Sequence, residues 1–84
     1  GVSVTGARTR WGSCSGKNRL NFSFRLCYAP LEAVDYVILH ELAHTREHNH
    51  SPRFWRLVEE GMPGYHRAEE QLPALQRELW LRGL

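Results

Sequence analysis

Residues 40–44 read His-Glu-Leu-Ala-His and close the apolar run Tyr36-Val37-Ile38-Leu39. On an α-helix, residues four apart lie about 40° apart around the axis and about 6 Å along it. His40 and His44 therefore project from one face, close enough for both imidazoles to hold one zinc ion. Glu41, about 100° round the helix, can serve a metal-bound water without being a ligand itself. One helix turn thus offers two ligands and a general base, and a third ligand has to come from elsewhere. His50 is the candidate. On a continuous helix it would lie about 120° round from His44 and about 9 Å further along, out of reach. The polar stretch 47–50 predicts a helix break that returns it to the metal. Three histidines with a fourth position open to water make a catalytic-type zinc site rather than a closed structural one. Glu59 and Glu60 are the rival third ligands; His48 is expected in solvent, and His66 fits either a surface or a site position.

The chemistry follows from charge. Zinc lowers the pKa of a bound water to about 7, and Glu41 can take that proton during attack on a carbonyl and pass it to the departing amine. Tyr65, just past a helix stop, is the candidate second oxyanion donor, with an ordinary packed tyrosine as the competing reading. An exposed strand edge would hold an extended peptide by main-chain pairing, which points to a polypeptide substrate. Two other functions fit the same residues: a zinc hydrolase of non-peptide amides or esters, and a non-catalytic metal-bound interaction domain on nucleic acid.

The elements that must position these residues can be read in order. Val2-Ser3-Val4-Thr5 alternates as a strand. Residues 7–11 alternate again, and Gly12 to Asn18 is rich in turn formers. Leu20, Phe22, Phe24 and Leu26 then fall on one face of a strand, with Arg19, Asn21, Ser23 and Arg25 on the other. The two runs predict an antiparallel hairpin with its aromatic face inward. Trp11 to Cys14 carry no derivable catalytic role, and the simplest reading is a turn with a buried indole. Arg8, Arg10, Arg19 and Arg25 would share the hairpin's polar face, solvated or set against phosphates.

Pro30 suits the first position of a helix. Val34, Ile38 and Leu42 continue a stripe from Leu31, opposite the histidines, and the helix is apolar nearly all round, predicting strands over that stripe and a sandwiched helix. Asn49 can adopt the left-handed conformation that ends helices. Ser51-Pro52 starts the next helix with a hydroxyl cap and Pro at the first turn; it carries Phe54, Trp55, Leu57 and Val58 and stops at Gly61. A last helix runs from about Tyr65 to Leu81 on Leu72, Leu75 and Leu79, with Pro73 kinking or restarting it.

Eighty-four residues, 42% of them hydrophobic, allow one domain, 1–84, with a modest core. Bound metal would stabilise a fold of this size. A formal charge of +2 does not itself call for a polyanion partner, and Lys17 is the single lysine among eleven basic residues. No stretch approaches the roughly 20 apolar residues of a membrane span. Cys14 and Cys27 form no framework and read as reduced thiols, giving a cytoplasmic expectation. Gly1 stands where an initiator Met would, so the chain is expected to be part of a longer parent with further strands upstream.

Arg10-Trp11-Gly12-Ser13-Cys14, Leu20-Asn21 with Leu26, Ala29-Pro30, Asp35-Tyr36-Val37, the 40–44 run, and Asn49-His50-Ser51-Pro52 with Phe54-Trp55 together resemble the YgjP-like metallopeptidases, relatives of the SprT-like and WLM zinc proteases. The resemblance covers most of the chain and fades after about Tyr65. It implies zinc on His40, His44 and His50, with Glu41 catalytic. The implied fold is α+β: a zincin-like minimal domain with a small antiparallel sheet on the active-site helix and two further helices. Glu47 stands where metzincins have Gly, and no Met-turn can be argued from Met62. The SprT-like relation raises DNA-associated proteolysis without establishing it.

Overall fold

A computed structural model describes residues 1–84. Three short strands precede three helices: β1 (Val2–Thr5), β2 (Gly12–Cys14), β3 (Leu20–Ser23), α1 (Leu31–His44), α2 (Pro52–Gly61) and α3 (His66–Leu81), with a 3₁₀ turn over Phe24–Tyr28 between sheet and helices. This is the expected α+β layout. The sheet is mixed rather than wholly antiparallel: β3 is central, paired antiparallel to β2 and parallel to β1. The hairpin is β2–β3, and its turn lies at residues 15–19, where the Ser15 and Arg19 main chains pair and Asn18 takes a positive φ of 59°.

Residues 7–11 do not form the expected strand; the chain bends there and pairing starts at Gly12. The strand expected to run on to Leu26 stops at Ser23, whose hydroxyl accepts from the Arg25 N–H and so opens the 3₁₀ turn. Past that point the two-residue alternation no longer decides burial. Phe24 is exposed, whereas Ser23, Arg25 and Leu26 are buried. Arg25 therefore does not join Arg8, Arg10 and Arg19 on a solvated face. Its Nη1 donates to the carbonyls of Gly6 and Ala7 at 2.8 and 2.7 Å, and its Nε donates to the Leu84 main-chain oxygen at 2.6 Å. One guanidinium fork thus ties the segment after β1 to the far end of the chain, a use that the five fixed donors of Arg allow.

α1 begins after Pro30 as expected. Its buried face is not the Leu31–Val34–Ile38–Leu42 stripe. Leu31, Ile38 and Leu42 are all exposed, and the helix buries Ala33, Tyr36, Val37, Glu41, Ala43 and His44 instead. Burial follows the neighbours: α2, α3 and β2 all pack on the histidine side. Ile38 and Leu42 line an open apolar groove with Val2, Val4, Leu20 and Phe22, so α1 is not sandwiched. Ala33 and Ala68 are fully buried, and such small side chains let packed helices approach closely. Gly61 ends α2 against Leu39, where a Cβ would come within 2.7 Å of the leucine Cδ1. Phe54 and Val58 on α2 are completely enclosed.

α1 ends at His44, one turn earlier than its polar tail implied, with the Thr45 hydroxyl donating to the Leu42 carbonyl at 2.6 Å. Asn49 is not the left-handed terminator; its φ is negative. The Ser51 hydroxyl caps α2 by accepting from the Phe54 N–H, with Pro52 in the first turn, as expected. α3 runs through Pro73 without restarting, so the Glu69 carbonyl loses its helical donor.

Removing the Arg25 fork leaves three part-buried carbonyls, those of Gly6, Ala7 and Leu84, short of a charged donor. Arg25→Leu is expected to lower stability by about 2–4 kcal/mol. Thermal unfolding followed by circular dichroism should then show a midpoint roughly 10–30 °C lower in a domain of this size. An unchanged midpoint would mean that water satisfies those carbonyls equally well.

Candidate active site

The break after α1 brings the chain back on itself, and His40, His44 and His50 converge. One ring nitrogen from each lies within 4.8 Å of the other two. His44 is buried, His40 is partly covered and His50 is exposed. The three rings meet on one platform, the Phe54 side chain. Phe54 stacks on His44 with ring centroids 4.2 Å apart and meets His40 and His50 edge-on, each at 5.0 Å. From the other side His50 stacks on Trp55 at 5.8 Å, Trp55 on Tyr65 at 5.6 Å and Tyr65 on Tyr36 at 5.9 Å. A column of four rings thus runs from the site into the core.

Hydrogen bonds set the tautomers. His44 Nδ1 lies 3.0 Å from the Glu47 carbonyl, which can only accept, so Nδ1 carries the proton and Nε2 presents its lone pair. His40 Nδ1 lies 3.2 Å from Glu41 Oε2, with the same consequence for His40 Nε2. His44 Nε2 and His50 Nε2 are 3.2 Å apart. Two nitrogens bound to one tetrahedral zinc at about 2.0–2.1 Å are roughly 3.3 Å apart, so this pair fits a shared ion. Burial foremost, then the neighbouring His44 and His40 charges, lowers the His50 pKa and favours the neutral imidazole that a metal takes. Glu59 and Glu60 are exposed and lie outside the cluster. His48 is exposed, its Nε2 3.0 Å from the Asn18 side-chain oxygen, and His66 is exposed beside Glu69.

Glu41 is buried at the head of a cleft and does not join the imidazole cluster. What holds it is Gly12, in a stretch for which the sequence offered no chemistry. A Cβ at Gly12 would stand 3.1 Å from Glu41 Cγ and 3.2 Å from both the Asn21 carbonyl oxygen and Phe22 Cδ1. Strand β2 therefore lies directly against the Glu41 side-chain stem because its first residue has no side chain. Trp11, one residue earlier, is half-buried and lines the cleft rather than filling a turn.

β2 is an end strand of the sheet. Trp11 and Ser15 pair with Ser23 and Arg19 of the β3 side at 2.8 and 3.0 Å, so the alternation of antiparallel pairing turns the N–H and C=O groups of Gly12 and Cys14 outward. Those groups meet no other strand. Cys14 and Cys27 are free thiols. Burial, then the Glu41 charge, raises the Cys14 pKa and favours the thiol over the thiolate, its Sγ 3.5 Å from the Ser15 carbonyl. Tyr65 is buried in the ring column; burial, then Glu69 and Glu59, raises its pKa and keeps its phenol protonated.

The model of the family described as YgjP-like, metallopeptidase domain, matches residues 1–74. No curated protein matches the chain. Among solved structures, the crystal structure of the metallopeptidase zymogen of Pyrococcus abyssi abylysin superposes with a TM-score of 0.75 at 28% identity, over 94% of this chain and 77% of that one. The His40–His44 helix, the returning His50 and the buried Glu41 thus lie in a chain that belongs to the YgjP-like metallopeptidase family.

Proposed function

We propose that this peptidase is zinc-dependent, with His40, His44 and His50 holding the ion and Glu41 acting as general base. The observation that carries the reading is the convergence of three imidazole nitrogens within 4.8 Å beside a buried glutamate that is not among them. Family membership implies a metal ion and a peptide substrate; an all-imidazole donor set suits zinc. When bound, zinc supplies Lewis acidity, lowering the pKa of a coordinated water to about 7 and polarising a carbonyl.

The chain's own groups do the rest. An extended substrate pairs its main chain with the outward N–H and C=O groups of Gly12 and Cys14, which sets the scissile carbonyl along β2 and next to Glu41. The Glu41 carboxylate takes a proton from the attacking water and returns it to the amine nitrogen as the C–N bond breaks. Phe54 and the Trp55–Tyr65–Tyr36 column keep the imidazoles from turning away. Tyr65, stacked between Trp55 and Tyr36 and absent from the cleft lining, supports the site by packing rather than as a donor to a developing oxyanion. Membership in a peptidase family favours this reading over hydrolysis of non-peptide esters and over a non-catalytic interaction domain. No helix is long and apolar enough to cross a membrane.

Glu41→Gln should lower kcat on a peptide substrate by about 10²–10⁴-fold while metal analysis still finds one zinc per chain. Full turnover by this variant would remove Glu41 from the base role. His50→Ala should weaken zinc binding at least about 100-fold in a chelator competition, more than loss of a supporting partner alone produces. Affinity unchanged by that substitution would assign the third ligand elsewhere. Gly12→Ala pushes Glu41 by a few tenths of an ångström, and because misplacement of about 1 Å costs about 10²-fold, a loss of about tenfold in kcat with zinc content intact is expected.

A further inference from the structure

Beside His40 and Glu41 a cleft of about 260 Å³ opens between α1, α3 and the residues leading into β2. That size is below the roughly 300–1,000 Å³ of drug-sized ligand pockets and matches a single side chain. Its acidic lining residues are Glu41 and Glu69, His40 lines its inner end, and no lysine or arginine lines it. Trp11 and Tyr36 supply aromatic surface, and Val37, Leu72 and Pro73 supply aliphatic surface. Glu69 is fixed rather than free. Its Oε2 accepts from the Tyr36 hydroxyl at 3.0 Å, and its Oε1 lies 3.5 Å from the exposed His66 ring. A carboxylate has about four acceptor sites, so these two contacts leave acceptor capacity on a side chain that is still 40% exposed.

We propose that this cleft is a specificity pocket for a cationic side chain, lysine or arginine, on a substrate residue flanking the scissile bond, with Glu69 as its charge partner. The proposal rests on the peptidase reading above and deepens it. Long basic side chains lay an apolar stem on aliphatic surface while the charged head stays polar, which is the sequence of surfaces that this cleft presents. Trp11 and Tyr36 add aromatic surface to the cleft wall, and the Glu69 carboxylate can accept charge-assisted hydrogen bonds from the cation. An acidic side chain would face the Glu69 carboxylate with no lysine or arginine lining the cleft to pair with it.

Two measurements separate the pocket from the chemistry. In the first, zinc-loaded protein is titrated with N-acetyl-arginine methylamide and with the norleucine analogue, followed by the Trp11 indole resonance. The arginine probe should bind about tenfold tighter, and Glu69→Gln should abolish the difference and leave norleucine binding unchanged. Glutamine keeps an acceptor for the Tyr36 hydroxyl, and an unchanged near-ultraviolet circular dichroism spectrum checks that the variant is folded. In the second, a peptide library randomised around the cleaved bond should be enriched in lysine and arginine at one flanking position for the wild type and lose that enrichment in Glu69→Gln. Cleavage without basic enrichment, or equal binding of the two probes, overturns the pocket and leaves the peptidase reading intact. An uncleaved library alongside selective arginine binding overturns the peptidase reading and upholds the cationic site.

Discussion

One fully buried ring sets the geometry of the site. Phe54, the third residue of α2, packs against His40, His44 and His50 together, face-on to one and edge-on to two. Two of those histidines share a helix turn, and the third arrives from a loop with little regular structure. Helix geometry brings the first two together, but nothing local fixes the third. Docking α2 against α1 does: the Ser51 cap and Pro52 start α2 immediately after His50, so seating Phe54 in the core also delivers His50 to the cluster. Gly61 at the other end of α2 lets the helix close on Leu39. The site is therefore a consequence of helix packing.

The parts of this arrangement with strong local rules were legible in the amino-acid sequence. The four-residue histidine spacing, the Ser-Pro start of α2 and the stop at Gly61 each follow from the geometry or capping of a single helix. What escaped was decided by neighbours. Phe24 and Leu26 continue the alternation of Leu20 and Phe22, yet the Ser23 hydroxyl takes the Arg25 N–H and the strand ends. The Leu31–Ile38–Leu42 stripe has the right period for a buried face, but its period says nothing about the side on which α2, α3 and β2 pack. Within the site, His40, Glu41, His44 and His50 could be named from spacing. Gly12 could not, because its role is an absence of side chain opposite a glutamate 29 positions later. The one local sign was a glycine within a pattern otherwise suited to a strand.

The segment that leads into β2 is held differently from the rest of the site. Residues 6–11 are irregular, and their main chain is gripped from outside: Arg25 donates to Gly6 and Ala7, Ser23 to Ala7, and both Gln76 and Trp80 to the Arg8 carbonyl at 2.9 and 3.0 Å. Trp80 is half exposed and Gln76 lies at the cleft. The imidazole side of the active site thus rests on apolar packing, whereas the strand side rests on hydrogen bonds within reach of solvent. The uncharged bonds among them contribute about 0.5–1.5 kcal/mol each, less than the roughly 1.5–3 kcal/mol of burying a ring the size of Phe54.

This difference has a functional direction. In the proposed mechanism the imidazoles must hold their positions to within fractions of an ångström, while an edge strand that pairs with a peptide has to let the peptide in and let the products out. The chain places its dense core, Phe54, Val58, Ala33 and Ala68, under the histidines, and its polar clamps under the strand. Gln76 and Trp80 lie beyond residue 74, where the family match ends, on the last two turns of α3. Those turns add little to the enclosed core, since only Leu79 among residues 75–84 is buried. Their main physical effect is to fix the wall that carries Trp11 and Gly12, so the end of α3 belongs to the cleft as much as α1 does.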